Sequence, residues 1–91
     1  MGLKVLILGI SGLIGNQLYK NFLTDNNFDV YGTVRSDNYF RFFQENFRFR
    51  IFPFIDVLNT NQIQELINTF KPSLVINSIG ITKHKIEHFS L

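Results

Sequence analysis

The sequence predicts an α/β fold built on a parallel sheet, and three observations lead there. Apolar runs alternate along the chain with segments whose apolar positions recur at helical spacing. The first run, LKVLIL, is apolar on both alternating faces apart from Lys4, as in a strand covered by helices on each side. Glycines at positions 9, 12 and 15 then sit where that strand gives way to the first helical pattern.

Leu3 to Leu8 reads as the first strand. From Leu13 to about Asn26 the spacing turns helical, with Ile14, Leu18 and Phe22 at i, i+4 and i+8 and Leu23 beside them. Asn16, Lys20 and Asp25 take the other side, and the DNN stretch supplies a turn. FDVYGTV, Phe28 to Val34, is rich in strand-forming residues and reads as the second strand. RSDNYFRFFQENF follows as a short helix or irregular connection that buries some of its phenylalanines. A third strand lies within RFRIFPFIDV, where Pro53 marks an edge position or a strand end. NTNQIQELINTF sets Ile63, Leu66, Ile67 and Phe70 at helical spacing, with Asn59 or Thr60 as N-cap. KPSLVINSIG gives a loop and a fourth strand, Leu74 to Asn77. Such alternation calls for parallel strands joined by right-handed crossovers. The expected architecture is half of a doubly wound Rossmann fold: a four-stranded parallel sheet in the order 3-2-1-4, with helices on both faces. The outer edge of the fourth strand then lacks a neighbour, which predicts self-association, as in a homo-oligomer, or poor solubility.

At 91 residues the chain is one small domain, 45% hydrophobic and 18% charged, and its eleven phenylalanines supply bulky core material. It has no cysteine, which excludes disulfides and thiolate metal sites. A net charge of +2 is a mild basic bias, short of a nucleic-acid-binding signature. Arginines do interleave with aromatics in FRFFQENFRFR, but Glu45 interrupts them, and FRFRIFPFI also fits a strand with one buried face. No segment approaches the roughly 18 apolar residues of a membrane span. The chain therefore reads as soluble and cytoplasmic, with neither nucleic acid nor membrane as partner. His84 and His88 have the i, i+4 spacing of metal ligands but no third ligand nearby, so a solvated helix start accounts for them. Lys83 and Lys85 read either as solvated charge or as groups within reach of a substrate phosphate.

Between a strand and a helix, G-x-x-G-x-x-G has a mechanical meaning. Gly9 permits the tight turn, Gly12 leaves no Cβ to obstruct a phosphate, and Gly15 lets the helix pack closely on the sheet. The helix start adds free N–H groups and the positive end of its dipole. A dinucleotide pyrophosphate is the expected ligand.

VLILGISGLIGNQL resembles the N-terminus of the extended short-chain dehydrogenase/reductase family, and three later stretches fit the same family in order. The resemblance implies cofactor contacts from Gly9, Ser11, Gly12, Leu13, Ile14 and Gly15. In VYGTVRS, the strand ends at Thr33 and Arg35, with no acid before Asp37. This is similar to members that hold the 2′-phosphate of NADP with an arginine, and it favours NADP over NAD. In FIDVLN, Asp56 would accept from the adenine amine and Val57 would pack on the ring, with helix capping as a second role for Asp56. VINSIGITKH resembles the family's Asn-Ala-Ala-Gly segment: Asn77 would brace the backbone, while Ser78, Ile79 and Gly80 would line the cofactor. Ser78 and Ile79 stand where alanines are usual.

The family's acid–base chemistry uses a Tyr-x-x-x-Lys pair. None of Tyr19, Tyr31 and Tyr39 has lysine four residues later, so no catalytic residue is expected among these 91. The chain thus reads as the cofactor-binding segment of a longer oxidoreductase or epimerase, with the catalytic and substrate-binding parts elsewhere. Among extended members it is most similar to nucleotide-sugar reductases of the dTDP-4-dehydrorhamnose reductase kind. A non-catalytic dinucleotide-binding module or redox sensor is the alternative.

Overall fold

In the computed structural model, which describes residues 2–79, the four strands are β1 (Leu3–Leu8), β2 (Phe28–Thr33), β3 (Ile51–Phe52) and β4 (Leu74–Asn77). All pair in parallel, in the order β3-β2-β1-β4. The apolar run of β1 puts it in the middle, with Val5 opposite Val30 on one side and Leu74 on the other, and Ile7 between Gly32 and Ile76. Two helices, α1 (Leu13–Leu23) and α2 (Thr60–Phe70), cover opposite faces.

The period of two along β1 divides the interior. Val5 and Ile7 join Ile10, Tyr19, Val30, Val34, Phe43, Ile51 and Ile76 in the main core, with Leu18, Phe22 and Leu23 of α1 packed against it. Leu6, equally buried, points to the other face. There Phe70 of α2 meets the rings of Tyr31 and Phe52 with centroids 4.6 and 5.2 Å apart. The Lys4 amine lies 4.3 Å over the Phe70 ring and donates to the Phe70 carbonyl at 2.9 Å. Each fully buried aliphatic side chain of β1 contributes about 1.5–3 kcal/mol.

The sequence places the centre of the α1 stripe on Ile14, Leu18 and Phe22. In the fold it falls instead on Gly15 and Tyr19, the two buried residues of the helix. Gly15 has no Cβ, so the helix settles onto the sheet along that line, and the residue one turn later is driven inward. Helix α1 also stops at Leu23, where the Thr24 hydroxyl donates to the Asn21 carbonyl and Asp25 accepts from Asn27 N–H to make the turn.

The connection after β2 becomes two 3-10 segments, Asp37–Phe42 and Glu45–Arg50. Phe43 between them is buried edge-on against Tyr19, with centroids 5.5 Å apart. The third strand keeps only Ile51 and Phe52, because Arg50 closes the preceding 3-10 segment and pairs with Asp29, while Pro53 has no N–H to continue the ladder. Its position at the sheet edge is the one Pro53 predicts. Asn59 caps α2, accepting from Gln62 N–H at 3.1 Å. Lys71 ends that helix in the left-handed region, φ 55°, with Pro72 following. Among the described residues, no helix is long and apolar enough to cross a membrane.

Candidate functional site

The three glycines of the turn after β1 are required for different reasons. Gly9 has φ 83°, a conformation that L side chains rarely adopt, and the Ile79 side chain occupies the space a Cβ would take. Its N–H donates to Thr33 Oγ1 at 3.0 Å, and Ile10 N–H donates to the Thr33 carbonyl at 3.0 Å, so β2 fixes the turn from beside it. Gly15 lies against the turn itself: an added Cβ would stand 2.2 Å from the Gly9 carbonyl oxygen. Gly12 differs from both. Its φ of −77° and ψ of 167° suit any residue, and an added Cβ would meet nothing nearer than the Gly9 oxygen at 3.8 Å. Among the described residues, nothing demands glycine there.

Gly12 is also the N-cap of α1, and it contributes no side-chain hydrogen bond. The first intrahelical bond runs from Asn16 N–H to the Gly12 carbonyl at 2.8 Å. The N–H groups of Leu13, Ile14 and Gly15 are therefore the donors that a helix start leaves unpaired. Together with the dipole of an eleven-residue helix they form a place for an anion.

Beside this turn, across the C-terminal ends of the strands, opens a cleft of about 260 Å³. It brings together most residues singled out from the sequence: Gly9, Ser11 and Gly12 from the turn, Thr33 and Arg35 after β2, Asp56 and Val57 after β3, and Ile79 after β4. Arg35 is exposed there, whereas Asp37 belongs to the first 3-10 segment and does not line the cleft. Val34, Ile55 and Leu58 complete the lining and carry no sequence signal beyond being apolar. Asp56 Oδ1 accepts from Leu58 N–H at 2.9 Å, which shapes the turn before α2, while the cap itself is Asn59.

Other sequence candidates lie outside the cleft. Leu13 is 83% exposed and faces a separate hollow with Asn16, Lys20 and Phe42. Ile14 is half-buried in the first turn of α1, and Gly15 is buried. Ser78, expected to line the cofactor, braces the backbone instead, and Asn77 bonds backbone as well. Ser78 is buried, and its hydroxyl lies 2.6 Å from the Leu8 carbonyl oxygen and 3.1 Å from that of Gly9, joining the ends of β4 and β1. Asn77 is exposed and its side-chain oxygen accepts from Ile79 N–H at 3.0 Å. The reason is the pleat: the residue after Ile76 turns out and the next turns in. Gly80, Lys83, Lys85, His84 and His88 lie outside the described residues.

None of the three tyrosines lines the cleft. Tyr19 is fully buried, its hydroxyl has no partner among the described residues, and burial pushes its pKa up to about 12. Tyr31 packs against Phe70 and Phe52, and Tyr39 lies beside Phe42. The residue that sequence reasoning missed is Gln62. Its side chain donates to the Phe54 carbonyl and accepts from Asp56 N–H, both at 2.8 Å, just behind the cleft wall. The Asn-x-x-Gln spacing from Asn59 to Gln62 is a capping-box pattern and was the available signal.

No solved structure matches the chain significantly. The model of the NAD dependent epimerase/dehydratase family matches residues 5–90, nearly the whole length. Strand order, glycine turn and family match agree, and the chain belongs to the NAD dependent epimerase/dehydratase family.

Proposed function

We propose that this chain is the cofactor-binding portion of a reductase or epimerase that acts on a nucleotide-sugar, as dTDP-4-dehydrorhamnose reductases do, and that it takes NADP in preference to NAD. Gly12 carries the proposal. Its backbone is ordinary and, among the described residues, the space beside it is open, which supports a ligand lying there. A pyrophosphate lying against Gly12, facing the unpaired N–H groups of Leu13, Ile14 and Gly15, meets that description. When bound, the dinucleotide supplies hydride chemistry at its nicotinamide. The chain's own residues bind and orient it: the glycine turn at the pyrophosphate, Arg35 at a 2′-phosphate, Asp56 and Val57 at the adenine, and Ile79 toward the nicotinamide half. Arg35, exposed on the cleft wall where Asp37 is not, is the observation that favours NADP.

Acid–base catalysis is assigned to groups beyond this portion of the enzyme, because no tyrosine of the chain precedes a lysine by four and none lines the cleft. The same observation favours a second reading, a non-catalytic dinucleotide-binding module or redox sensor. Titration of the full chain with NADPH and NADH tests the cofactor assignment. NADPH is expected to bind about tenfold or more tightly, and Arg35→Ala is expected to remove the difference. Equal binding of both by the unaltered chain, or a preference that survives the substitution, contradicts the role given to Arg35.

A further inference from the structure

The turn between β3 and α2 runs from Phe54 to Asn59; Ile55 N–H ties it to the Val34 carbonyl at 3.1 Å, Asp56 Oδ1 accepts from Leu58 N–H within it, and one side chain of α2 spans it. Phe54 has φ 62°, a left-handed conformation that a bulky residue adopts only under constraint, and its side chain is 62% exposed, so packing does not impose it. Gln62, two positions into the first turn of α2 after Thr60, reaches back across the turn. Its Nε2 donates to the Phe54 carbonyl and its Oε1 accepts from Asp56 N–H, each at 2.8 Å. The amide thus pairs with the backbone on both sides of Ile55, as a peptide group of a neighbouring strand would.

This departs from a capping box, in which the glutamine would bond the N–H of the cap residue. Here Asn59 N–H already donates to the Asp56 carbonyl at 2.9 Å, which leaves the Gln62 amide free for the turn. The segment it clamps is Ile55, Asp56, Val57 and Leu58, one wall of the cleft. We infer that Gln62 is a positioning residue, which sets the Asp56–Val57 wall of the cleft in the geometry that receives the adenine end of the dinucleotide. The inference rests on the cofactor assignment above. It requires an amide, since a carboxylate of the same shape accepts but cannot donate.

The test measures binding of adenosine 2′,5′-bisphosphate and of nicotinamide mononucleotide to the full chain and to Gln62→Glu and Gln62→Met, with a thermal melt of each. The expected result is about a tenfold loss for the bisphosphate in both variants, an unchanged affinity for the mononucleotide, and cooperative melting retained. Equal losses for both probes would assign Gln62 a merely structural role and overturn the inference. Unchanged bisphosphate binding in the variants overturns it while leaving the cofactor assignment intact. Failure of the unaltered chain to bind either probe overturns both.

Discussion

Replacing Gly12 by serine places a good N-cap residue at the start of α1, where the backbone already suits it and the nearest atom leaves room. Its hydroxyl would accept from the N–H groups that the cofactor assignment reserves for phosphate. Gly12→Ser is therefore expected to hold or slightly raise the melting temperature while removing dinucleotide binding. Gly15→Ala is expected to do the reverse in kind. A Cβ 2.2 Å from the Gly9 carbonyl forces the helix off the sheet and costs at least about 1–3 kcal/mol in a denaturant melt. Tyr19 offers a third residue-scale test. Its buried hydroxyl has no partner among the described residues, so Tyr19→Phe is expected to leave stability equal or higher. Because burial raises the folded-state pKa from 10.0 to about 12, the unfolded chain loses this proton first as the solution turns alkaline. Stability present below pH 10 should fall between about pH 10 and 12, and the phenylalanine variant should lack that part of the fall.

The elements divide by how strongly local sequence constrains them. Helix α2 depends on its cap, and Asn59→Ala is expected to cost about 1 kcal/mol, read from the denaturation midpoint. Its far end is anchored through Phe70, which touches Tyr31, Phe52 and Lys4, so Phe70→Ala should cost more than loss of the cap. Strands β1 and β4 were legible to the residue, because apolar runs bounded by glycine or proline leave few alternatives. The middle of the chain was not. Tyr39, Phe40, Phe42 and Phe43 follow one another too densely for spacing to say which is buried; the fold buries Phe43 and leaves Phe42 about half exposed. At the site, glycines and strand ends announced themselves, since their spacing is set by backbone geometry. Gln62 did not, because its partners lie six and eight residues back and depend on the unusual conformation of Phe54.

At the scale of the whole molecule, the parallel sheet gathers into one cleft residues 9, 35, 56 and 79, which are spread along the chain. The sheet order does this: β1 and β4 are neighbours, and the segments after β2 and β3 lie on the other side of the glycine turn. Among the described residues β4 pairs only with β1, and the apolar stripe of α2 (Ile63, Leu66, Ile67 and Phe70) is mostly but not fully buried. Ligand binding should also stabilise the fold as a unit, by about 2.7 kcal/mol at a hundred times the dissociation constant. The measurement that tests the central claim most directly is calorimetric titration of NADPH into the full chain and into Gly12→Ser, with a thermal melt of each. Saturable binding by the unaltered chain, lost in a variant that melts at the same temperature or higher, is the expected result. Equal binding by the two would show that Gly12 does not receive the pyrophosphate, and no binding by the unaltered chain would contradict the cofactor assignment as a whole.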